Sequence, residues 1–69
     1  MKELTGRQAE ILTFIRQHID ALGYAPSLKE VSQEFGLSLA TVVEHLEGLE
    51  RKDAIHRTNG VARSIVIVE

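Results

Sequence analysis

The sequence predicts a mainly α-helical domain that ends in a small β-hairpin. Apolar residues recur at helical spacing in three segments between residues 6 and 52, and a serine or threonine that can cap a helix precedes each segment. From residue 55 onward the pattern changes to β-branched residues around Asn59-Gly60, a dipeptide that favours a hairpin turn. With 69 residues, the chain is long enough for one hydrophobic core and too short for two.

The first helix is predicted over about residues 6–22. Thr5 and Gln8 have the spacing of a capping box, in which each side chain bonds the backbone N–H of the other residue. Gly23 fits the left-handed position that ends such a helix. The apolar stripe consists of Ile11, Leu12, Ile15, Ile19 and Leu22.

The second helix is predicted over about residues 28–35. Pro26 favours an extended conformation just before it, and Ser27 with Glu30 forms a second capping box. Gly36 closes the helix after a short apolar stripe. This stripe consists of Leu28, Val31 and Phe35.

The third helix is predicted from Ser38, its cap, to about Lys52. Gly36 permits a tight turn before it, Ser32 is small where helices two and three approach, and Val42 is spaced to pack onto helix two. Two helices joined in this way form a helix-turn-helix, and a helix in front with a hairpin behind makes it a winged helix-turn-helix, one domain over residues 1–69. The buried stripe is predicted to be Leu39, Val42, Leu46 and Leu49.

The hairpin is predicted from the segments AIHRT and VARSIVIVE. Asn59 and Gly60 between them fit a two-residue type I′ turn, in which both central residues need positive φ. Because an isolated hairpin is only marginally stable in water, we expect it to pack on the helices. Its apolar residues Ile55, Ile65 and Ile67 can make that contact.

Charge and composition restrict the possible functions. The net charge of −2 counts against nucleic-acid binding, although residues 55–68 carry His56, Arg57 and Arg63 and no acid. Without cysteine there are no disulfides or thiolate metal sites, and the three histidines lack metal-ligand spacing. No phosphate loop, nucleophile–base pair or carboxylate pair indicates an enzyme, a cofactor or a small-molecule substrate. No segment resembles a membrane span or a signal peptide, so we expect a cytoplasmic protein without membrane contact.

Four stretches then carry a resemblance to a known family: LTGRQAEILTFIRQHI, GYAPSLKEVSQEFGLS, TVVEHLEGLERKDAI and ARSIVIV. They resemble the N-terminal DNA-binding domain of the LexA family, the repressors of the bacterial SOS response. The resemblance extends over essentially the whole chain. It implies a winged helix-turn-helix with helix three in the major groove. Dimers of the family bind palindromic operators in promoters of DNA-damage genes and block transcription.

The resemblance also implies which residues meet DNA. The base-contacting positions would be Ser38, Ala40, Thr41, Val43 and Glu44. Thr41 can hydrogen-bond a base edge or a phosphate, Val43 can meet a thymine methyl group, and Glu44 can accept from a cytosine amino group. Independently of the resemblance, charge and helix-end position predict phosphate contacts at Arg7, Ser27, Lys29, Arg51, Lys52, Arg57 and Arg63. Ordinary surface charge is the alternative for any single cation among them.

Several departures from the family pattern limit what the resemblance implies. In helix three, the preceding turn is one residue shorter, which leaves the register of residues 38–41 open. Ala40 and Val43 also stand where some members have a polar amide and an acid, so the operator sequence cannot be carried over. Asp53 stands where the family generally has glycine before the wing, and a left-handed conformation is costly there. The second LexA domain, with its serine–lysine dyad and most of the dimer interface, is missing. We therefore expect no self-cleavage and a weak or absent homodimer in this chain alone.

A second function remains open at this point, a protein-interaction or dimerisation module without DNA binding. The acidic third helix and the apolar SIVIV strand favour it, since such a strand can pair with a strand of a partner. Some single residues likewise fit roles that do not involve DNA. His45 fits a helix interface, whereas His18, Asp20, Glu47 and Glu50 fit solvated surface.

Overall fold

The computed structural model describes residues 3–68 and contains three helices followed by a two-stranded antiparallel sheet. The elements are α1 (Gly6–Leu22), α2 (Leu28–Phe35), α3 (Leu39–Arg51), β1 (Ile55–His56) and β2 (Val66–Ile67). In the sheet, Ile55 pairs with Ile67 and His56 with Val66. The element order confirms the predicted winged helix-turn-helix, and all three helices have the expected bounds within one residue.

Local capping explains why the first two helices begin where they do. The Thr5 hydroxyl accepts a hydrogen bond from the Gln8 N–H (3.2 Å), and the Gln8 side chain accepts one from the Thr5 N–H (3.0 Å). Ser27 and Glu30 repeat the arrangement, with distances of 3.1 and 2.8 Å. Both predicted capping boxes are therefore formed, and each supplies partners for N–H groups that a helix leaves unpaired in its first turn.

The turn between α2 and α3 fixes the relative placement of the two helices. Gly36 takes the left-handed conformation with φ of 64°. The carbonyl group of Ser32 accepts from the N–H groups of Gly36 and Leu37, and the Ser32 hydroxyl donates to the Leu37 carbonyl oxygen. A small hydroxyl residue thus fastens the turn, which adds a hydrogen-bonding reason to the steric one expected for Ser32.

The hydrophobic core lies where all three helices and the sheet meet. Its buried members are Ile11, Ile15, Ala25, Val31, Val42, Leu46, Leu49, Ala54, Ile55 and Ile65. The presence of Ile55 and Ile65 confirms that the hairpin packs on the helices, and half-buried Ile67 packs beside them. Two predicted stripe residues are instead exposed: Leu22 (53%) and Leu39 (52%). They are the last residue of α1 and the first of α3, where each helix extends past the core.

The predicted hairpin turn is wrong. Asn59 lacks the positive φ that a type I′ turn needs, and only Gly60 of the pair has it, at 79°. The Val61 N–H bonds the Thr58 carbonyl oxygen, and the positive φ of Gly60 at the third position suits a type II turn. The Ser64 hydroxyl accepts from the N–H and donates to the carbonyl group of Thr58. These two backbone groups are therefore not available to extend the hydrogen-bonded ladder between the strands.

The two strands are therefore short and are joined by residues 57–65, which we call the wing loop. It includes Arg63 in the left-handed conformation, with φ of 55°, which interrupts the expected strand VARSIVIVE. At the other end, α3 leads into β1 through Asp53, whose φ is 59°. The Asp53 N–H bonds the Glu50 carbonyl and the Ala54 N–H bonds the Leu49 carbonyl, the two bonds of a Schellman motif. The strained conformation expected at Asp53 is confirmed.

Candidate nucleic-acid interface

One side of α3 is free of contacts with the core. Val42, Leu46 and Leu49 are fully buried on the inner side of this helix. Four exposed residues lie on the opposite side at intervals of four, three and four positions, which is the spacing of a single helical face. This outward face of α3 consists of Ala40, Glu44, Glu47 and Arg51. It presents a methyl group, two carboxylates and a guanidinium in one row.

The predicted base-contacting residues lie on or beside this face. Ala40 and Glu44 belong to it, while Thr41 and Val43 are half-buried on its two flanks. Ser38 caps the helix: its hydroxyl accepts from the Thr41 N–H (3.2 Å) and donates to the Thr41 hydroxyl oxygen (3.0 Å). The structure thus brings the five positions together at the N-terminal half of α3.

Glu47 is the member of the face that sequence reasoning assigned to solvated surface. It lies seven residues after Ala40 and three after Glu44, so helical spacing alone would have placed it beside them. Glu50, which was expected on the same solvated surface, is instead half-buried and pairs with a wing arginine.

Five of the predicted phosphate contacts lie at helix ends, one of them being Lys52, the C-cap of α3. Lys29 on the first turn of α2 and Arg51 at the end of α3 are exposed. Ser27 is half-buried and its hydroxyl serves the capping box of α2. The exposed Arg7 lies 3.6 Å from Glu10 and its guanidinium is 5.5 Å from the centre of the Phe35 ring.

The Lys52 side chain forms a hydrogen bond with a residue of α1. Its ammonium group donates to the Gln8 side-chain oxygen at 2.6 Å, across a sequence separation of 44 residues. Gln8 is 8% exposed, and the same oxygen also accepts the Thr5 N–H of the capping box. Lys52 therefore serves as a link between the end of α3 and the start of α1.

The two wing arginines make contacts within the protein. Arg63 forms two hydrogen bonds to Glu30, Nη1 to Oε1 at 2.7 Å and Nη2 to Oε2 at 3.2 Å. Arg63 Nη1 also donates to the Ala25 carbonyl oxygen at 3.1 Å, and its guanidinium lies 4.8 Å from the centre of the Tyr24 ring. Arg57 has a side chain that is only 11% exposed, and its Nε lies 3.2 Å from Glu50 Oε1.

Glu30 is the centre of a polar cluster between α1, α2 and the wing loop. Hydrogen bonds from Arg63 and from the Ser27 N–H lower the pKa of its carboxyl group from 4.5 to about 2. His18 lies on the other side, with Nε2 3.7 Å from Glu30 Oε1 and Nδ1 2.8 Å from the Tyr24 carbonyl oxygen. The expectation that His18 is solvated is wrong, because its ring packs between Phe14 and Tyr24 and is 10% exposed.

A mostly apolar cleft separates the wing loop from the starts of α2 and α3. Its volume is about 360 Å³, and it extends from Leu28 and Leu39 to Val61. Lys29 and Arg57 add positive charge to its lining. Because the wing loop and the N-terminal end of α3 line the same cleft, both lie on the same part of the surface.

None of the helices between residues 3 and 68 has both the length and the hydropathy to cross a bilayer. In the same part of the chain, no three His, Asp or Glu side chains lie close enough together to hold a metal ion.

Comparison with known proteins places the chain in a family. The family model described as the LexA DNA binding domain matches residues 1–64. The LexA repressor of Pseudomonas chlororaphis is 46% identical over 68 residues, which are 97% of this chain and 34% of the relative. That of Geotalea uraniireducens is 42% identical over 69 residues, 99% of this chain and 34% of the relative.

The LexA repressor of Citrifermentans bemidjiense is 40% identical over 68 residues. The chain spans 34% of the length of these relatives. The chain therefore belongs to the LexA DNA-binding domain family.

Proposed function

We propose that this chain binds double-stranded DNA sequence-specifically, with α3 in the major groove, as the DNA-binding domain of a LexA-type transcriptional repressor. The observation that carries the proposal is the outward face of α3, a continuous exposed row on a helix that α2 and the tight turn hold in place. Family membership also supports DNA binding, since the matched family model is that of a DNA-binding domain.

The chemistry of this face favours particular bases. Glu44 and Glu47 are hydrogen-bond acceptors when ionised, so they match the amino groups of cytosine and adenine and are repelled by guanine O6 and N7. Ala40 permits close approach of the helix to the base edges. Val43 is suited to a thymine methyl group and Thr41 to a base edge or a phosphate.

Phosphate contacts then fall mainly to cations at the edges of this surface. Lys29 on the first turn of α2 and Arg51 at the end of α3 are exposed cations. Ser27, Arg7 and Lys52 are further contacts, although each already has a partner within the protein. With a net charge of −2, the chain should bind random DNA weakly, so selectivity depends on base contacts more than on attraction to the backbone.

The biological setting proposed is that of the family. A palindromic operator would take two copies of the domain, one on each half-site, in promoters of DNA-damage genes. This chain alone should dimerise weakly or not at all and should bind one half-site with modest affinity, because tethering two domains is what raises the affinity for both half-sites. We expect a cytoplasmic protein without a catalytic activity, a cofactor or a small-molecule substrate in this chain.

Fluorescence anisotropy tests the proposal directly. The purified chain is titrated with a LexA-type palindromic duplex and with a scrambled duplex of the same composition, over a series of salt concentrations. The proposal expects preferential binding to the palindrome, with affinity that falls steeply as salt increases. Failure of a well-folded sample to bind either duplex at low salt would reject it.

The interaction module remains the second candidate, because apolar residues are exposed away from α3. Tyr24 (48% exposed) and Val66 (59% exposed) line another cleft, of about 400 Å³, between the end of α1 and β2. Sedimentation over a range of protein concentrations distinguishes the two candidates. A mass that increases with concentration, without DNA affinity, would favour the interaction module, whereas a DNA-binding monomer would exclude it.

A further inference from the structure

The tip of the wing loop carries no charge. Residues 58–62 are Thr, Asn, Gly, Val and Ala, and all five are exposed. The cations of the loop, Arg57 and Arg63, lie on either side of this tip. Both guanidinium groups are paired with carboxylates of the helices; the side chain of Arg57 is 11% exposed and that of Arg63 is 40% exposed.

Arg63 has the contacts of a residue that fixes the loop. Its planar guanidinium meets the Glu30 carboxylate with two parallel hydrogen bonds, a geometry that specifies orientation as well as distance. The additional bond to the Ala25 carbonyl and the packing over Tyr24 involve the connector between α1 and α2. These contacts use three of the five N–H donors of Arg63 and fix its guanidinium plane, although 40% of the side chain is exposed. A phosphate at those three donors would have to displace Glu30 or the Ala25 carbonyl.

Arg57 is fixed on the opposite side of the loop. Its Nε is buried and 3.2 Å from Glu50 on α3, with the N–H directed away from a hydrogen-bonding angle, so the contact is mainly ionic. Only 11% of the side chain is exposed, which leaves little surface for a phosphate. The wing loop is thus tied to α2 by one ion pair and to α3 by the other.

We propose that Glu30 and Glu50 are positioning residues of the DNA interface, which hold the wing loop beside α3 through Arg63 and Arg57. The two arginines then act as internal braces and not as phosphate contacts. DNA meets the uncharged tip of the loop, through the Asn59 side chain and the backbone. This inference rests on the proposed function, because it concerns how the same surface is arranged for DNA.

The change in DNA affinity caused by Glu30→Gln distinguishes a positioning role from a purely electrostatic one, because the two roles predict changes in opposite directions. Removing a negative charge from a DNA-binding protein should strengthen binding if charge alone matters. Loss of the brace should instead weaken binding to the palindrome by about two- to fivefold, as expected for a partly exposed ion pair. Glu34→Gln is the matched control, since Glu34 is exposed on the same helix and has no ion pair with any residue of the described range 3–68. It should bind as tightly as the unmodified chain or slightly tighter.

The salt dependence of Arg63→Gln provides the second readout. If Arg63 bound a phosphate, its loss would reduce the slope of log affinity against log salt by about 1. As a brace, it should leave the slope unchanged while affinity falls. Lys29→Gln, which removes an accessible cation, is the comparison variant and should show the reduced slope. A slope reduced by about 1 in Arg63→Gln would overturn the proposal.

Amide hydrogen exchange tests the brace without DNA. In Glu30→Gln the Val61 N–H, which bonds the Thr58 carbonyl oxygen, should exchange several-fold faster than in the unmodified chain, and in Glu34→Gln it should not. Unchanged exchange together with unchanged or tighter DNA binding in Glu30→Gln would overturn the positioning role. If the unmodified chain bound no duplex, the proposed function would fail, whereas the exchange result would still decide whether Glu30 holds the loop.

Discussion

Gly48 of α3 lies directly against the side-chain amide of Gln8 on α1: a Cβ atom at Gly48 would be 2.5 Å from Gln8 Nε2. The amide cannot move aside freely, because its oxygen bonds the Thr5 N–H and the Lys52 ammonium group. One glycine therefore permits a buried glutamine that joins the start of α1 to the end of α3.

A glycine-to-alanine change at this contact should be destabilising. Alanine normally gains about 1 kcal/mol over glycine inside a helix. In Gly48→Ala the displaced amide would lose the capping box or the Lys52 bond, for a net loss of about 1 kcal/mol. In a Gln8→Ala background the clash is absent, and the same change should stabilise the protein. Urea unfolding of the four variants measures both effects, and equal signs in the two backgrounds would contradict the contact.

A second stability prediction concerns Asp53, which ends α3 with φ of 59°. This left-handed conformation is energetically unfavourable for a non-glycine residue, although aspartate tolerates it better than most residues. Asp53→Gly should therefore stabilise the protein by about 0.5–1 kcal/mol, provided that the Schellman hydrogen bonds remain. Asp53→Ala is the control and should be destabilising, since alanine has neither the freedom of glycine nor a polar side chain. Thermal unfolding with Asp53→Gly below the unmodified chain would refute this account.

Glu30 should make stability depend on acidity in a defined window. Its neighbours are Arg63 on the wing loop, His18 on α1 and the Ser27 N–H, and Tyr24 in the connector packs against both Arg63 and His18. The pKa of the folded state is about 2, below the ordinary 4.5. Because the folded pKa is lowered, the contribution is complete above the unfolded value and disappears as pH falls towards 2.

The measurement compares the unmodified chain with Glu30→Gln from pH 6 to pH 2. The unmodified chain should be more stable at pH 6, and the difference should shrink between pH 4.5 and about 2. Glu34→Gln should show no comparable loss of a stability difference in that window. A constant difference between Glu30→Gln and the unmodified chain across the range would show that the carboxylate charge is not what matters.

Sequence patterns predicted the helices well because their signals are local. Thr5 with Gln8 and Ser27 with Glu30 are three residues apart, and both pairs formed as expected. The wing was predicted less well, because its shape depends on distant partners. Arg63 meets Glu30 across 33 residues, and no periodicity indicates such a contact.

The same distinction applies to the candidate site. The family resemblance, not periodicity, placed Ala40 and Glu44 at the base-contacting surface, and both lie on one exposed face of α3; helical spacing would also have included Glu47. The phosphate assignments of Arg57 and Arg63 came from charge and sequence position alone. Neither reveals the carboxylate partners that the fold gives both arginines, and the two phosphate assignments stay untested predictions.

Glu47 provides the last prediction, since helical position argues for base contact and charge argues for solvated surface. If Glu47 accepts a hydrogen bond from a cytosine or adenine amino group, Glu47→Gln should reduce the preference for the palindrome over the scrambled duplex. A reduction of about fivefold or more is expected, because a well-placed base contact discriminates by about 1–3 kcal/mol. Binding to the scrambled duplex should strengthen, because a negative charge is lost near the phosphates. Glu34→Gln, which removes the same charge away from α3, should leave the preference unchanged. Equal gains of Glu47→Gln on both duplexes, measured by anisotropy at one salt concentration, would show that Glu47 is solvated surface and that base recognition ends at Glu44.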